Sequence, residues 1–158
     1  MNKAYLLLGS NMGNPVQQLE IAKHHIEKNI GKVYLQSSLY KTAPWGKTDQ
    51  PDFINQVIVI RTKLSASATM ETILAIEEKM GRIRTEKNAP RFIDIDILFF
   101  NDNIISSDLV TIPHPRIQDR KFVLIPLEEI APALMHPLLN KNIRELLASC
   151  TDPLDVNK

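Results

Sequence analysis

Apolar and polar residues alternate along residues 90–100 with the period of two that is typical of a β-strand. One predicted face points into the core and carries Ile93, Ile95, Ile97 and Phe99. The opposite face carries Phe92, Asp94, Asp96, Leu98 and Phe100. Residues two apart in a strand lie about 7 Å apart on the same face. Because two such carboxylates repel each other, we expect a divalent metal ion, or a pair of them, beside Asp94 and Asp96.

The pattern of apolar and polar residues before this strand predicts an alternation of strands and helices. Strands are expected at residues 3–8, 32–40 and 53–62. The first helix begins after Asn14, which is followed by Pro15, and this pair is a typical helix start. The same helix is expected to end at Gly31.

A second helix is predicted to begin near Ser65 or Ser67 and to end at Gly81. Its apolar stripe consists of Met70, Ile73, Leu74, Glu77 and Met80. Glu77 is unusual in this position, because an unpaired carboxylate rarely lies on an apolar helix face.

The chain after residue 100 predicts shorter elements. We expect a hairpin turn at 101–103, short strands near 104–105 and 110–112, and helices over 116–130 and 142–149. Pro126 is expected to interrupt the first of these helices. The tail after Cys150 is expected to be loose.

The order strand–helix–strand–strand–helix–strand predicts the α+β class, with a ferredoxin-like βαββαβ core and a mainly antiparallel sheet. Right-handed crossovers place both helices on one face of the sheet and leave the other face for loops and a site. An extra hairpin and C-terminal helices complete the expectation of a single domain over residues 1–158.

Composition narrows the class of protein. A hydrophobic content of 44% and a charged content of 23% are ordinary for a soluble globular protein. The net charge of +1 argues against a nucleic-acid binder or a protein of anionic membranes. The first apolar run is too short for a signal peptide or a membrane span, so a cytoplasmic location is expected. A single cysteine, Cys150, excludes an internal disulfide.

Cations flank the predicted aspartate strand on both sides. They are Arg82, Arg84, Lys87 and Arg91 before it, and His114, Arg116, Arg120 and Lys121 after it. Carboxylates next to many cations suit a polyphosphate that is bound through Mg²⁺. The arginines would bind the phosphate oxygens that the metal leaves uncoordinated. The alternative is an ordinary solvated face with surface charges. The sequence has no phosphate-binding Gly-rich signature of the common nucleotide-binding folds.

Five separated segments resemble a known family. They are residues 9–13 (GSNMG), 50–55 (QPDFIN), 81–84 (GRIR) with Glu77, 90–97 (PRFIDIDI), and 113–116 (PHPR) with Arg120 and Phe122. In this order and spacing they resemble the 6-hydroxymethyl-7,8-dihydropterin pyrophosphokinases of folate biosynthesis. The resemblance covers nearly the whole chain.

The resemblance implies a reaction in which MgATP gives its β,γ-pyrophosphoryl group to the hydroxymethyl oxygen of the pterin, and AMP leaves. Asp94 and Asp96 would hold two Mg²⁺ ions. These aspartates, Arg82 and Arg91 would form the catalytic set. The implied partners are ATP and hydroxymethyldihydropterin, with no nucleic acid and no membrane, and we expect a monomer.

The resemblance also implies two binding sets. The ATP set consists of Glu77, Arg82, Arg84, Arg91, Ile97, Thr111, His114 and Arg120. The pterin set consists of Thr42, Ala43, Pro44, Trp45, Phe53, Asn55 and Phe122, in which the two phenylalanines would stack on the pterin. The loop of Gly9, Ser10 and Asn11 would close over the site.

One departure from the family pattern concerns the loop before Pro90. Family members often have an aromatic residue and a glycine there, whereas this chain has Asn88 and Ala89. Our hypothesis is that Trp45 takes the place of the missing aromatic residue.

Two other functions are alternatives to the enzyme. One is a ferredoxin-like RNA-binding module, which the acidic strand face disfavours. The other is a different Mg²⁺-dependent nucleotidyl or phosphoryl transferase on the same scaffold.

Overall fold

The computed structural model describes residues 1–43, 50–81 and 92–158. The strands are β1 (Asn2–Ser10), β2 (Gly31–Gln36), β3 (Tyr40–Thr42), β4 (Phe53–Thr62), β5 (Asp94–Phe100), β6 (Ile105–Ser106), β7 (Thr111–Ile112) and β8 (Val156–Asn157). The helices are α1 (Pro15–Asn29), α2 (Ala66–Lys79), α3 (Lys121–Ile130) and α4 (Ile143–Ala148), with a short 3₁₀ helix at Ile117–Asp119. No helix in these described ranges is long and apolar enough to cross a membrane.

The main sheet has six strands in the order β5-β1-β4-β3-β8, and β2 pairs with the other half of β4. Every pair in it is antiparallel. The two central strands, β1 and β4, lie between the strands that follow each helix. This arrangement is the ferredoxin-like core, and the predicted fold class is confirmed.

Helices α1 and α2 pack together on one face of the sheet, as predicted. Asn14 caps α1, because its side chain accepts a hydrogen bond from the Gln17 backbone. Leu19 and Ile26 of α1 and Ile73 of α2 are fully buried against the sheet. The buried stripe of α2 runs through Ala66, Thr69, Ile73, Ile76 and Glu77. Leu74 was predicted wrongly to belong to it, since Leu74 is half-buried and is not among the residues that pack against this core, whereas the half-buried Met70 and Met80 are.

The opposite face of the sheet is not left to loops alone, which corrects the prediction. Helices α3 and α4 cover much of it with a second core cluster that includes Leu124, Leu127, Ile143 and Leu146. A short stretch at the end of β1 and the beginning of β4 and β5 remains accessible on this face, and the candidate site lies there.

The strict alternation predicted for residues 93–100 is wrong at its end. The register between β1 and β5 shifts so that Leu6 faces Ile97 while Tyr5 faces Phe99, which leaves Leu98 as an extra residue. Leu98 and Phe99 consequently both belong to the cluster beneath α3, and Phe100 belongs to the cluster beneath α1 and α2.

The strand predicted over residues 32–40 is two strands, β2 and β3. Ser37 interrupts it because its backbone and hydroxyl bind β4: Ser37 N donates to the Val57 carbonyl at 2.8 Å and the Val57 amide donates to Ser37 Oγ at 3.0 Å. The chain shifts at this point from one half of β4 to the other.

Two predictions for the C-terminal third also need correction. The turn at residues 101–103 does not form a hairpin between β5 and β6, since β6 pairs with β7 instead. The predicted helix over 116–130 breaks at Arg120, whose backbone is extended, and not at Pro126. Pro126 lies inside α3, where buried neighbours such as Val123 and Leu127 hold the helix against the sheet although Pro126 has no N–H to donate.

The tail after Cys150 is ordered, contrary to prediction. Asp152 is buried and accepts a hydrogen bond from the Lys121 backbone at 3.1 Å. Farther on, β8 pairs with β3, so that Val156 faces Thr42. The pattern of apolar residues gave no signal for either contact, because both depend on backbone pairing and on one carboxylate.

Candidate active site

A pocket of about 570 Å³, its open mouth included, lies on the α3 face of the sheet, where β1 ends and its antiparallel neighbours β4 and β5 begin. It is lined by Leu7, Gly9, Thr42, Ala43, Phe53, Asn55, Asp94, Asp96, Arg120 and Phe122. One part of this lining is carboxylate and guanidinium, and another part is aromatic. The pocket therefore offers separate surfaces for a charged group and for a flat ring.

Asp94 and Asp96 share one face of β5 and line the pocket together, as the alternation predicts. Across the sheet, Asp94 faces Gly9 and Asp96 faces Leu7 in β1. Glu77 of α2 lies on the other side of the sheet with a relative exposure of 2%, and its Oε2 accepts a hydrogen bond from Ile95 N at 2.8 Å. A buried carboxylate therefore holds the backbone between the two aspartates.

The aspartate pair meets a test for Mg²⁺ binding. Mg²⁺ in proteins is commonly held by one or two carboxylates and completed by water and substrate phosphates. Asp94 and Asp96 supply two half-buried carboxylates in one pocket. In residues 1–43, 50–81 and 92–158, no cluster of three or more His, Cys, Asp or Glu side chains suits a metal ion. Two half-buried carboxylates therefore fit a Mg²⁺ ion whose other ligands would come from water and substrate.

Arg120 and His114 approach the aspartates from the segment before α3. Burial and the nearby Arg116 lower the pKa of Arg120, while Asp96 and Asp94 oppose that shift. The guanidinium also lies 5.6 Å from the centre of the Phe122 ring. Arg120 therefore lies between the carboxylate part of the pocket and its aromatic part.

His114 is neutral at pH 7 in this structure. Burial, followed by the cation Arg120, lowers its pKa to about 4, against the opposing effect of Asp94. Its Nδ1 accepts a hydrogen bond from Arg116 N at 3.1 Å, which leaves Nε2 as the N–H donor. The backbone N of His114 donates to the Leu98 carbonyl at 3.0 Å and fixes this turn against β5. In this state the His114 ring offers a hydrogen bond through Nε2, and its place in the ATP-binding set remains a prediction.

The aromatic part of the pocket combines Phe53 at the start of β4 with Phe122 at the start of α3. Asn55 lies two residues after Phe53 on the same strand face and is 4% exposed. Its Nδ2 donates to Thr42 Oγ1 at 2.9 Å, and this bond fixes the orientation of the amide. The resulting polar edge next to two aromatic rings fits a flat heterocycle with hydrogen-bonding groups.

Three further predicted site residues, Asn11, Ile97 and Thr111, are not in the pocket lining. Asn11 Nδ2 donates to Gln50 Oε1 at 2.7 Å and to the Pro51 carbonyl at 3.1 Å, so the loop after β1 is tied to the entrance of β4. The Ile97 side chain packs beneath α1 and α2, which leaves only its backbone for ligand contact. Thr111 is exposed on β7 and does not line the pocket.

Five predicted site residues lie outside the described residues. They are Pro44, Trp45, Arg82, Arg84 and Arg91. Asn88 and Ala89, which carry the departure from the family pattern, lie outside them as well.

Sequence reasoning missed Leu7, which lines the pocket and faces Asp96 across the β1–β5 pair. The signal was hidden because the first strand is apolar on both faces, and such a run does not separate core from site. Reading β1 with a period of two from Gly9 would have placed Leu7 on the site face.

Comparison with known proteins supports one family. The family model described as 7,8-dihydro-6-hydroxymethylpterin-pyrophosphokinase matches residues 5–132. A 2-amino-4-hydroxy-6-hydroxymethyldihydropteridine pyrophosphokinase of Methylorubrum extorquens is 39% identical over 159 residues, which is 100% of this chain and 99% of that protein. The protein of the same name from Haemophilus influenzae is 40% identical and covers 87% of this chain and 86% of its own length.

The fold has a matching neighbour among solved structures. The crystal structure of wild-type Plasmodium falciparum HPPK-DHPS with pteroate superimposes with a TM-score of 0.76 at 23% identity. It covers 93% of this chain, whereas this chain spans 44% of that longer protein. At this identity the similarity supports the fold, and the family rests on the sequence matches. The chain belongs to the 7,8-dihydro-6-hydroxymethylpterin-pyrophosphokinase family.

Proposed function

We propose that this protein transfers the β,γ-pyrophosphoryl group of MgATP to the hydroxymethyl group of 6-hydroxymethyl-7,8-dihydropterin. The hydroxymethyl oxygen forms a bond to the β-phosphorus, the bond between that phosphorus and the oxygen of the α-phosphate breaks, and AMP leaves with the electron pair. The hydroxyl proton passes to solvent. The observation that carries this proposal is a single pocket that combines Asp94 and Asp96 with Phe53, Asn55 and Phe122.

The phosphate half of the reaction is assigned to the carboxylate part of the pocket. Asp94 and Asp96 would hold two Mg²⁺ ions, which when bound neutralise the triphosphate and stabilise charge on the leaving AMP. Arg120 lies near both aspartates and would bind phosphate oxygens through its planar N–H groups. Nε2 of His114 would donate a further hydrogen bond to the phosphate chain.

Three further arginines belong to this proposal, although they lie outside the described residues. Arg82 and Arg91 would contact the triphosphate, and Arg84 would help to close the site. Glu77, Ile97 and Thr111 remain predicted ATP contacts. Among them, Glu77 already has a role in the structure, because it holds Ile95 of the aspartate strand.

The pterin half is assigned to the aromatic part of the pocket. Phe53 and Phe122 would stack on the two faces of the ring, which adds contact area at a small entropic cost. Asn55 would bind the polar edge of the pterin, with its amide held by Thr42. A site specialised for hydrogen bonds to a ring edge rejects a ring that lacks those groups, because the protein's own polar atoms would be left unpaired.

Catalysis under this proposal depends on positioning and charge and needs no covalent intermediate. The pocket lining contains no Ser, Cys or Lys nucleophile among its described residues. Closure of the surrounding segments would exclude water, which otherwise competes with the pterin hydroxyl as acceptor.

The test is incubation with MgATP and hydroxymethyldihydropterin, followed by separation of the nucleotides. We expect AMP and pyrophosphorylated pterin. Formation of ADP would indicate an ordinary kinase, and the absence of both nucleotides would favour a binding module. Either result contradicts the proposal.

The aspartate assignment is tested in the same assay with Asp94→Asn and Asp96→Asn. Each change removes one negative charge from the metal-binding pair, so each is expected to lower kcat by at least about a hundredfold. Asp102→Asn is the matched control, since Asp102 is exposed in the turn after β5. Near-normal turnover in both pocket variants would contradict the assigned role.

A further inference from the structure

The last residues of the chain contact two walls of the pocket that no sequence signal linked to them. We call residues 151–158 the C-terminal tail. One contact reaches the start of α3, and the other reaches β3. These two elements are far apart in sequence, and each of them contributes residues to the pocket lining.

The first contact is a helix cap provided from a distance. Arg120, at the N-cap position of α3, makes no side-chain capping hydrogen bond. Asp152 supplies one instead: its Oδ2 accepts from Lys121 N at 3.1 Å, while its Oδ1 accepts from Leu154 N at 3.0 Å. A carboxylate at this end of a helix is favourable, because it satisfies an otherwise unpaired N–H and interacts with the helix dipole.

The position of this cap relates it to the pocket. Lys121, which donates to Asp152, lies between Arg120 and Phe122 in sequence, and both of these neighbours line the pocket. The Asp152 side chain therefore fixes the backbone from which the predicted phosphate-binding guanidinium and the predicted pterin-stacking ring both project. Its relative exposure of 5% shows that water does not compete freely for this bond.

The second contact completes the sheet next to the polar edge of the pocket. Strand β8 pairs with β3, with Val156 opposite Thr42 and Asn157 opposite Lys41. Thr42 in turn accepts the hydrogen bond that orients Asn55. Strand β3 has only 3 residues and pairs with β4 along one edge. Pairing with β8 along the other edge restrains it further.

We propose that the C-terminal tail is a positioning element for the pterin half of the site and that Asp152 is its principal residue. This role rests on the proposed function. Asp152 does not line the pocket; it acts on the pterin half through Phe122 at the start of α3, and β8 acts through Thr42 and Asn55.

The protein contains a matched comparison for a purely structural role. Asn142 caps α4 in a capping box with Glu145, in which Glu145 N donates to Asn142 Oδ1 at 2.8 Å. Helix α4 packs behind α3 and contributes no residue to the pocket lining. Asn142→Ala therefore removes a cap of the same kind without altering the backbone of the pocket.

The experiment compares Asp152→Ala, Asp152→Asn and Asn142→Ala in the whole 158-residue chain. Pterin affinity is measured through the fluorescence of Trp45, the single tryptophan, and by calorimetry, in each case well below the melting temperature of the variant. Asp152→Ala is expected to raise the pterin Kd and KM by up to about five- to tenfold, the limit reached if the whole free energy of a helix cap is lost from binding. Asp152→Asn keeps one acceptor oxygen and should recover part of this loss.

The control decides between positioning and general stability. Asn142→Ala is expected to lower the melting temperature to a similar extent while leaving pterin Kd and KM unchanged. Equal effects of Asp152→Ala and Asn142→Ala on pterin affinity, or no effect of either, would overturn the positioning role. If Asp152→Ala fails to fold, Asp152→Asn against Asn142→Ala provides the same comparison. Wild-type protein that binds no pterin would overturn the proposed function, and the positioning role with it.

Discussion

At the scale of single residues, the pocket depends on the absence of a side chain at Gly9. In the register between β1 and β4, Gly9 faces Asn55 directly. A Cβ atom at Gly9 would lie 2.6 Å from Asn55 Oδ1, which is closer than van der Waals contact allows. Asn55 cannot rotate away without losing its bond to Thr42. Gly9 is therefore required by close approach on the pterin side of the pocket.

Gly9→Ala is expected to displace the Asn55 amide and raise the pterin KM about tenfold, because an overpacked site costs on the order of 1–3 kcal/mol. The ATP KM should change much less, since Asn55 belongs to the polar edge of the aromatic part. Steady-state kinetics with each substrate varied in turn measure both values.

Ser10→Ala is the matched control for this prediction, because Ser10 lies inside β1 and does not line the pocket, although the resemblance implied a place in a loop over the site. Ser10 is the next residue of the same strand and is fully buried, and its hydroxyl has no hydrogen-bond partner in the described part of the chain. Its removal should leave both KM values unchanged. An unaltered pterin KM in Gly9→Ala would show that Asn55 tolerates the added methyl group and that the amide position is not restrained as described.

The sequence predicted individual site residues where chemistry and periodicity coincide. Asp94 and Asp96 were found from their spacing, because a charged pair in an apolar strand is conspicuous. Phe53 and Phe122 were found only through the family resemblance, since an aromatic residue in a strand or helix is ordinarily part of a core. Asp152 gave no signal, because a cap supplied by a residue 31 positions away has no local pattern.

At the scale of elements, Glu129 connects α3 to the segment between β2 and β3. Its carboxylate accepts hydrogen bonds from Ser38 N at 2.9 Å, Ser38 Oγ at 2.7 Å and the Tyr40 hydroxyl at 2.8 Å. These bonds lower the pKa of Glu129 against the opposing effect of burial. Burial and the hydrogen bond to Glu129 raise the pKa of Tyr40 to about 12. The break in the predicted strand is thus held by a carboxylate of the helix that covers it.

Glu129→Ala is expected to lower the free energy of unfolding by about 2 kcal/mol, because several hydrogen bonds to a charged group are lost together. Denaturant unfolding followed by circular dichroism measures this change. The melting temperature should fall accordingly, while the linear slope against denaturant stays the same.

Glu128→Ala serves as the control for Glu129→Ala. Glu128 is the preceding residue of the same helix and is half-buried, and none of the hydrogen bonds to the 37–40 segment involves it. Its loss should change stability by less than about 0.5 kcal/mol. Equal stability losses in the two variants would mean that the three bonds to Ser38 and Tyr40 contribute nothing measurable.

Element prediction from sequence succeeded where local signals were strong. The Asn14–Pro15 start, the Ser65 cap and Gly81 at a positive φ of 89° delimit α1 and α2 correctly. It failed where tertiary contacts override local preference. Pro126 stays helical because buried neighbours hold it, and Leu98 disrupts the alternation because β1 and β5 shift register around it.

At the scale of the whole molecule, the sheet separates two cores with different origins. The core beneath α1 and α2 belongs to the βαββαβ unit and follows from the order of elements in the sequence. The core beneath α3 and α4 was not predicted, because the apolar pattern does not indicate which face of the sheet a C-terminal helix covers. That second core carries Arg120 and Phe122 to the pocket, so the site requires both layers.

The second core also contains a titratable group that links stability to pH. His136 is 3% exposed and packs edge-on against Phe99, with ring centres 5.6 Å apart. Its Nδ1 accepts hydrogen bonds from Leu138 N and Leu139 N, each at 3.2 Å. Burial lowers its pKa below the ordinary value of 6.5, so the ring is neutral in the folded protein at pH 7.

The sign of the pH effect follows from this shift. Because the unfolded chain binds a proton at a higher pH than the folded chain does, the stability due to neutral His136 is complete above pH 6.5 and is lost as the pH falls towards the folded pKa. The half-buried His114, whose pKa is lowered to about 4, acts in the same direction between pH 6.5 and 4. The free energy of unfolding is therefore expected to decrease on mild acidification, as measured by urea unfolding at pH 7.5, 6.5, 5.5 and 4.5.

His136→Asn isolates the contribution of this one side chain, because the Asn Oδ1 can accept the same two backbone hydrogen bonds but does not titrate. The variant should be less stable than wild type at pH 7.5, since contact with Phe99 is lost, but its stability should depend less steeply on pH below 6.5, by up to about one proton per molecule. His24→Asn, an exposed position on α1, is the control. If the free energy of unfolding depends on pH equally in wild type and His136→Asn, His136 has the same pKa in the folded and unfolded chains. Burial against Phe99 would then not keep the ring neutral.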